Sequence, residues 1–329
     1  MRNIGIEYPA RGAMRFCDLG APPQPKDSEI LIDTHYSGIS NGTERHALLG
    51  EHGWVHFPGR HGYQHVGTVR AVGSKVRDFK SGDWVFHGRY VGHRGWHVVD
   101  VTEADVDSIG SHLCLRLPDD VDYKHCALLG VAGVAMRHVR RCRVAPAQNV
   151  WVVGLGLIGQ FAAQSARAVG ARVTATDVNE RRLAVAEKLG AHRVLDARDD
   201  KTNAALKADG PYDCILDCSG VPSLLPQIHR DGLLAYRGVI GLLAVRSETT
   251  FPWSMLHGRE GSIEVSCHFG LDDLRRVLHF VRQGVIRVEP LISHCVSIDQ
   301  APTIYETLRD RPGELLGVVF DWTTEHPSD

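Results

Sequence analysis

No Cys-x-x-Cys pair occurs in this 329-residue chain; its eight cysteines are scattered at positions 17, 114, 126, 142, 214, 218, 267 and 295. That excludes the spacing of a zinc ribbon and argues against a disulfide framework. No lysine/arginine block is present, and 37 basic residues are interspersed with 39 acidic ones. The footprint of a nucleic-acid binder is therefore missing. No apolar run reaches transmembrane length without a glycine or polar break, so no membrane partner is expected. The opening residues, MRNIGIEYPARGAM, lack the apolar segment of a signal peptide, and the expectation is a reduced, cytoplasmic protein. Internal repeats and low-complexity segments are also absent. The length suggests two domains rather than one.

What is present centres on one stretch. The apolar run Val150-Trp-Val-Val153 ends in Gly154-Leu-Gly-Leu-Ile-Gly159, the G-x-G-x-x-G spacing. A helical pattern follows from about Ile158 to Val169, then a β-type run, Arg172-Val-Thr-Ala-Thr, closed by Asp177. In such a unit the first glycine allows a sharp turn and the second lets a pyrophosphate approach the backbone. The third lets the helix pack close to the strand, and the helix N-terminus faces the phosphates. Leu157 and Ile158 supply backbone N–H groups at that terminus. Asp177, about 20 residues on, is placed to accept hydrogen bonds from the adenosine ribose hydroxyls. A carboxylate there repels a 2′-phosphate, so NAD(H) is favoured over NADP(H). Arg182, beside Arg181, tempers that preference as a phosphate ligand; both arginines are equally consistent with solvated charges at a helix start.

Taken in order, residues 1 to about 118 read as β. Glu29-Ile-Leu-Ile-Asp33, His65–Val72 and Asp83–Phe86 are separated by Gly, Pro, Ser and Asp turns, the pattern of an antiparallel, barrel-like domain. From about Tyr123 to Val144 the signal turns helical and Pro146 ends it. Strands and helices then alternate: strands at Arg193–Leu195, Tyr212–Cys218, Gly238–Leu243 and Ser262–Ser266, helices at Ala184–Leu189 and Asp272–Arg282. That alternation argues for a doubly wound parallel sheet. A short helix, about Ala301–Leu308, and a strand, Leu315–Phe320, close the chain.

This order, with Gly62-Tyr-Gln-His-Val-Gly67, Gly82-Asp-Trp-Val85, the glycine turn, Asp217-Cys-Ser-Gly220 and Pro290-Leu-Ile-Ser293, resembles the medium-chain dehydrogenase/reductase superfamily over nearly the whole chain. The resemblance implies an α/β protein: a GroES-like catalytic domain (1–120 and 267–329) and a Rossmann dinucleotide-binding domain (121–266), with the active site between them. It also implies a homodimer, paired through the edge strand Ser262–Ser266. The departures are as informative. Zinc-dependent members place a Cys where this chain has Ser40 and His-Glu where it has Tyr63-Gln64. The third ligand, near Gly130 or Val131, is missing, and residues 86 to 110 hold no structural-zinc cysteines. No zinc is expected at either family position, since zinc needs three or four Cys, His or carboxylate ligands. Ser37-Gly-Ile-Ser-Asn-Gly-Thr-Glu44 looks like the zinc-lacking subgroup that includes bacteriochlorophyllide a dehydrogenase.

The resemblance implies an NAD(H)-dependent, zinc-independent oxidoreductase acting on a small molecule, with hydride transfer at a secondary alcohol or ketone. Reduction of an activated C=C bond is the second reading, although the Asn-Pro-Val-Asp-type loop of such members is absent; a non-catalytic dinucleotide-binding protein is the third. Tyr63 stands where a metal ligand is replaced, either as proton donor to the carbonyl oxygen or as a buried aromatic filling the vacated volume. Ser40, Thr43 and Glu44 are read as one loop that contacts the substrate oxygen or the proton, or caps its own backbone. Asn41 faces the pyrophosphate by family position. Ser219 and Gly220 end a strand at the ligand edge of the sheet, and Leu242, with Leu243, flanks the nicotinamide. Histidines 46, 52, 56, 61, 65, 87, 93 and 97 cluster in the first domain. A metal pair, His61 and His65, is weighed against loop and surface histidines, and the lack of a completing Cys or carboxylate favours the latter. Trp54, Phe57, Trp96, Phe251 and Trp253 in loops hint at a bulky or planar ligand, and surface or core packing explains them equally well.

Overall fold

Runs of β-branched residues broken by glycine and aspartate turns build the first part of the chain. The computed structural model describes residues 2–324 other than 52, 103, 104 and 106. It divides into two units. One is built from residues up to Gly130, with Phe269–Arg275 and the return from Ile292; the other from Val131–His268 and Arg276–Leu291.

In the first unit, β1 (Ile4–Glu7) and β2 (Arg15–Asp18) form an antiparallel pair. β3 (Glu29–Gly38) is the long central strand, followed by α1 (Asn41–Leu48), β4 (His65–Val72), β5 (Trp84–His87), β6 (Trp96–Asp100), β7 (Cys114–Arg116) and the short α2 (Tyr123–Cys126). β3 pairs antiparallel with both β4 and β6, β4 with β5, and β5 with β7. Ile30, Ile32, Val69, Val85, Val99 and Cys114 pack together inside these strands.

The second unit alternates: α3 (Leu129–Arg141), β8 (Asn149–Val153), α4 (Leu157–Ala168), β9 (Arg172–Asp177), α5 (Glu180–Lys188), β10 (Arg193–Asp196), α6 (Thr202–Asp209), β11 (Tyr212–Asp217), α7 (Leu224–Asp231), β12 (Leu234–Leu242), α8 (Trp253–His257), β13 (Ser262–Val265) and α9 (Leu271–Arg282), whose first turns belong to the first unit. Its six strands are all parallel, in the order β10-β9-β8-β11-β12-β13. The sheet order reverses between β8 and β11, the crevice where such sheets bind nucleotides. β8 and β11 are apolar almost throughout because helices cover both faces. The chain then returns to the first unit with β14 (Ile292–Ser297), α10 (Ala301–Asp310) and β15 (Gly317–Asp321); β15 lies antiparallel to β3.

The expected α/β architecture is present. Corrections are local. The segment read as a Ser40–Glu44 loop is α1, and β3 runs five residues past Asp33. The β1–β2 pair and helices α6 and α7 had no clear signal; Pro226 sits in the first turn of α7, where a missing N–H costs nothing. No helix among the described residues is long and apolar enough to cross a membrane.

Candidate active site

The glycine turn is shaped by sterics. Gly154 has φ +85°, which disfavours any side chain. A Cβ on Gly159 would stand 1.8 Å from the Gly154 carbonyl oxygen, so only glycine lets α4 lie this close to the turn. A Cβ on Gly156 would meet nothing nearer than Arg182 Nη1 at 4.0 Å. Gly156 is the N-cap of α4 and no side chain caps the helix, so the terminus that begins with Leu157 and Ile158 faces open space. That is a cradle fitted to a dinucleotide pyrophosphate. Arg182 overhangs it, its own carbonyl held by Gln160 Nε2–H at 2.8 Å.

Asp177 ends β9 and is largely buried. Its Oδ2 accepts from Leu155 N–H (2.5 Å) and its Oδ1 from Asn179 N–H (2.8 Å). Each carboxylate oxygen accepts more than one bond, so this clamp orients Asp177 and leaves capacity for a ribose diol. At the end of β11 a buried carboxylate plays a similar part. Asp217 Oδ1 accepts from Ser219 N–H, Ser219 Oγ–H and Gly220 N–H, and Arg246 donates to its Oδ2 at 2.6 Å. Sequence reasoning named Ser219 and Gly220 but missed the Asp217–Arg246 pair that holds them. Leu242 ends β12, buried.

In the first unit, the residues replacing the family zinc ligands are joined. Tyr63 OH donates to Ser40 Oγ (3.0 Å), and Ser40 Oγ donates to half-buried Thr43 Oγ1 (3.3 Å). Tyr63 is 3 % exposed, its ring against Tyr90 and Phe269. Burial first, and then nearby Tyr90, push its phenol well above the usual tyrosine range. Gln64 is fully buried and its amide donates to Gly38 O. A Cβ on Gly130 would meet Gln64 Cγ at 2.7 Å and Tyr63 Cε2 at 3.0 Å. Gly130 therefore has no room for a side chain and its neighbour Val131 offers no ligand atom, so the set Ser40, Tyr63, Gln64 with Gly130 or Val131 does not fit a zinc ion.

Glu44 was grouped with Ser40 as a proton handler, but the structure places its carboxylate in a buried network. Ser40 N–H donates to Oε1 (2.9 Å), Tyr305 OH donates to Oε2 (2.7 Å), and His93 Nε2 lies 3.0 Å from Oε2. Burial alone would raise its pKa; the charge and hydrogen bond of His93, with those from Tyr305 and Ser40, outweigh it and hold the carboxyl below the usual glutamate range. His93 Nδ1 in turn meets Ser37 Oγ (2.8 Å), which also accepts from Trp322 Nε1–H. Glu44 thereby ties α1 to α10 and fixes the backbone of Ser40. Asn41 donates to Leu316 O at 2.9 Å, a contact within the first unit.

The reading of the histidines as loop and surface residues needs correcting. His61, His65, His87, His93 and His97 are all buried, whereas His56 is exposed; His52 lies outside the described residues. His61 does not pair with His65. Among the described residues, the one group able to hold a metal ion is His65, His87 and His97, so the expectation of no zinc is unsupported for the chain as a whole. Strands β4, β5 and β6 turn these side chains inward, which single-strand patterning does not reveal. Trp96 is also structural: it is buried, donates to Gly20 O and carries Arg94 over its ring. Trp54, Phe57, Phe251 and Trp253 are exposed.

Two family models match. Residues 26–169 match "Alcohol dehydrogenase GroES-like domain" and residues 158–283 match "Zinc-binding dehydrogenase". D-xylulose reductase A of Aspergillus oryzae is 27 % identical, with 88 % of this chain and 89 % of that protein covered. Among solved structures, 2R,3R-butanediol dehydrogenase of Bacillus subtilis superposes with a TM-score of 0.83 at 19 % identity, covering 97 % of this chain and 99 % of that one. Galactitol-1-phosphate dehydrogenase of Escherichia coli gives 0.82 at 19 % identity over 97 % and 99 %. With a GroES-like unit, a doubly wound parallel sheet and relatives in the same order over nearly the whole chain, this protein is similar from end to end to the zinc-type alcohol dehydrogenase-like medium-chain dehydrogenases/reductases.

Proposed function

We propose that the chain transfers a hydride between NAD(H) and a secondary alcohol or ketone of a small biosynthetic substrate, without a metal at the Ser40–Tyr63 position. The observation that carries this is the hydroxyl series Tyr63–Ser40–Thr43 at the place of the family zinc ligands. The subgroup likeness of the Ser37–Glu44 segment and the names of the relatives, a D-xylulose reductase, a 2R,3R-butanediol dehydrogenase and a galactitol-1-phosphate dehydrogenase, support it.

A bound nicotinamide supplies the hydride chemistry. The protein's part is orientation and the proton. With hydroxyl hydrogens directed from Tyr63 to Ser40 to Thr43, the Tyr63 oxygen accepts the proton of a substrate alcohol as its own passes to Ser40, that of Ser40 passes to Thr43, and half-buried Thr43 releases one to solvent. Reversal of the three hydroxyls delivers a proton to a ketone oxygen. Because the phenol stays protonated, Tyr63 works as a member of this series and not as a standing phenolate. Glu44 is a positioning residue that holds Ser40 in line. Asp177 orients the adenosine ribose and selects NAD(H) over NADP(H).

The test is a panel of secondary alcohols with NAD and of ketones and enones with NADH. Alcohol and ketone turnover is expected. Cofactor binding without turnover on any member would leave a non-catalytic binding protein instead.

The chain also pairs as a homodimer through β13, the outermost strand of the parallel sheet, whose Val265 is 59 % exposed; an open strand edge is normally covered or paired. Light scattering should read twice the 36.3 kDa chain mass, and a monomer at micromolar concentration would contradict it.

A further inference from the structure

We infer that His65, His87 and His97 bind one divalent transition-metal ion, zinc foremost, between strands β4, β5 and β6 and apart from the Ser40–Tyr63 position. The three come from different strands. His65 on β4 stands directly opposite His87 on β5, and His97 on β6 stands opposite Ile32 of β3. One ring nitrogen of each lies within 4.8 Å of the others. Nitrogens about 2.0–2.1 Å from a tetrahedral zinc stand roughly 3.3 Å apart, so modest ring rotations close the set. The residues are 0 %, 1 % and 1 % exposed.

The chemistry of the nitrogens points the same way. His65 Nδ1, both nitrogens of His87, and His97 Nε2 are buried without a hydrogen-bond partner. Buried polar atoms are ordinarily paired, and each orphan is costly; three of these four, one from each ring, have a common explanation in a shared ligand. His65 Nε2 donates to Gly92 O at 3.0 Å, which leaves the Nδ1 lone pair free. A backbone carbonyl on the far nitrogen is the usual support of a ligating histidine. His97 Nδ1 faces Thr34 Oγ1 at 3.5 Å, and its Nε2 is the free nitrogen. Burial first, then neighbouring charges, hold all three imidazoles neutral, His87 down to about 3, so protons do not compete with an ion at neutral pH. Imidazole nitrogens suit zinc, copper, nickel and iron. With no thiolate or carboxylate in the set, water completes a tetrahedron. The Arg94 charge, which lowers His65 and His97, acts against the ion. The ion's role is to tie β4, β5 and β6 together. This inference does not rest on the proposed reaction.

The full chain is stripped with a chelator and titrated with Zn²⁺ and with Co²⁺. One ion per chain is expected, with the visible absorption of tetrahedral Co²⁺ and a higher unfolding midpoint. His87→Gln and His97→Gln should each weaken binding by more than the roughly 10–100-fold typical of a lost supporting contact, while Tyr63→Phe leaves it unchanged. Circular dichroism checks that the variants fold. If they do not, X-ray absorption of the loaded wild type counts the ligands: three imidazoles are expected, and sulfur ligands or fewer imidazoles overturn the site. No binding to the wild type, binding that survives both folded histidine variants, or binding lost in Tyr63→Phe also overturns it.

Discussion

Tyr63→Phe should leave NADH affinity intact and slow the chemical step by about 10²–10⁴-fold, the range for losing a positioned acid or base. The ring keeps its packing against Tyr90 and Phe269, and only the hydroxyl bonded to Ser40 Oγ disappears. A tyrosine that merely fills the zinc volume predicts near-normal turnover with a modest loss of stability. Single-turnover measurements on the true substrate separate the two, because they read the hydride step rather than product release. Ser40→Ala belongs beside it: breaking the series at its second hydroxyl should slow the same step. Unimpaired Tyr63→Phe with hydride transfer rate-limiting would remove Tyr63 from the mechanism.

The second large effect is on the cofactor. Asp177→Ala should weaken NADH by about tenfold or more, since a hydrogen bond to a charged group is worth about 1.5–3 kcal/mol. NADPH should change less, so the preference narrows. Asp177 also holds Leu155 and Asn179 backbone N–H groups. Asp177→Asn is therefore the companion variant, because it keeps one of the clamp's two acceptor oxygens while removing the charge. Calorimetric titration of both cofactors into each variant reads the outcome. Equal affinity of the wild type for NADH and NADPH would sink the assignment.

The glycine turn is legible because each glycine answers a steric demand a sequence can state: a positive φ at Gly154, an open approach at Gly156, and at Gly159 a helix so close that an added Cβ would stand 1.8 Å from the Gly154 carbonyl oxygen. β9 likewise begins and ends at Arg172 and Asp177 as read. α1 was not legible. Ser40-Asn-Gly-Thr is weakly helical, and the helix exists because Glu44 reaches Tyr305 and His93 while Ala47 and Leu48 pack with Ile304 and Leu308 of α10, a tertiary override of local propensity. The histidines failed for a related reason. Alternation says that one face of a strand is buried, but the pairing of β3 with β4 and β6, and of β4 with β5, decides that His65, His87 and His97 share one interior. The Asp217–Arg246 pair joins residues 29 positions apart and has no local signal.

Where the hydride goes tests the central claim most directly. The folded, chelator-treated protein is supplied with NADH deuterated at C4 and a substrate carrying both a ketone and a conjugated C=C bond, and the product is read by mass spectrometry and NMR. The account predicts deuterium on the carbinol carbon, with turnover undiminished by removal of metal. Deuterium on the alkene carbon, or turnover that vanishes on chelation and returns only with zinc while the fold is unchanged, would contradict it.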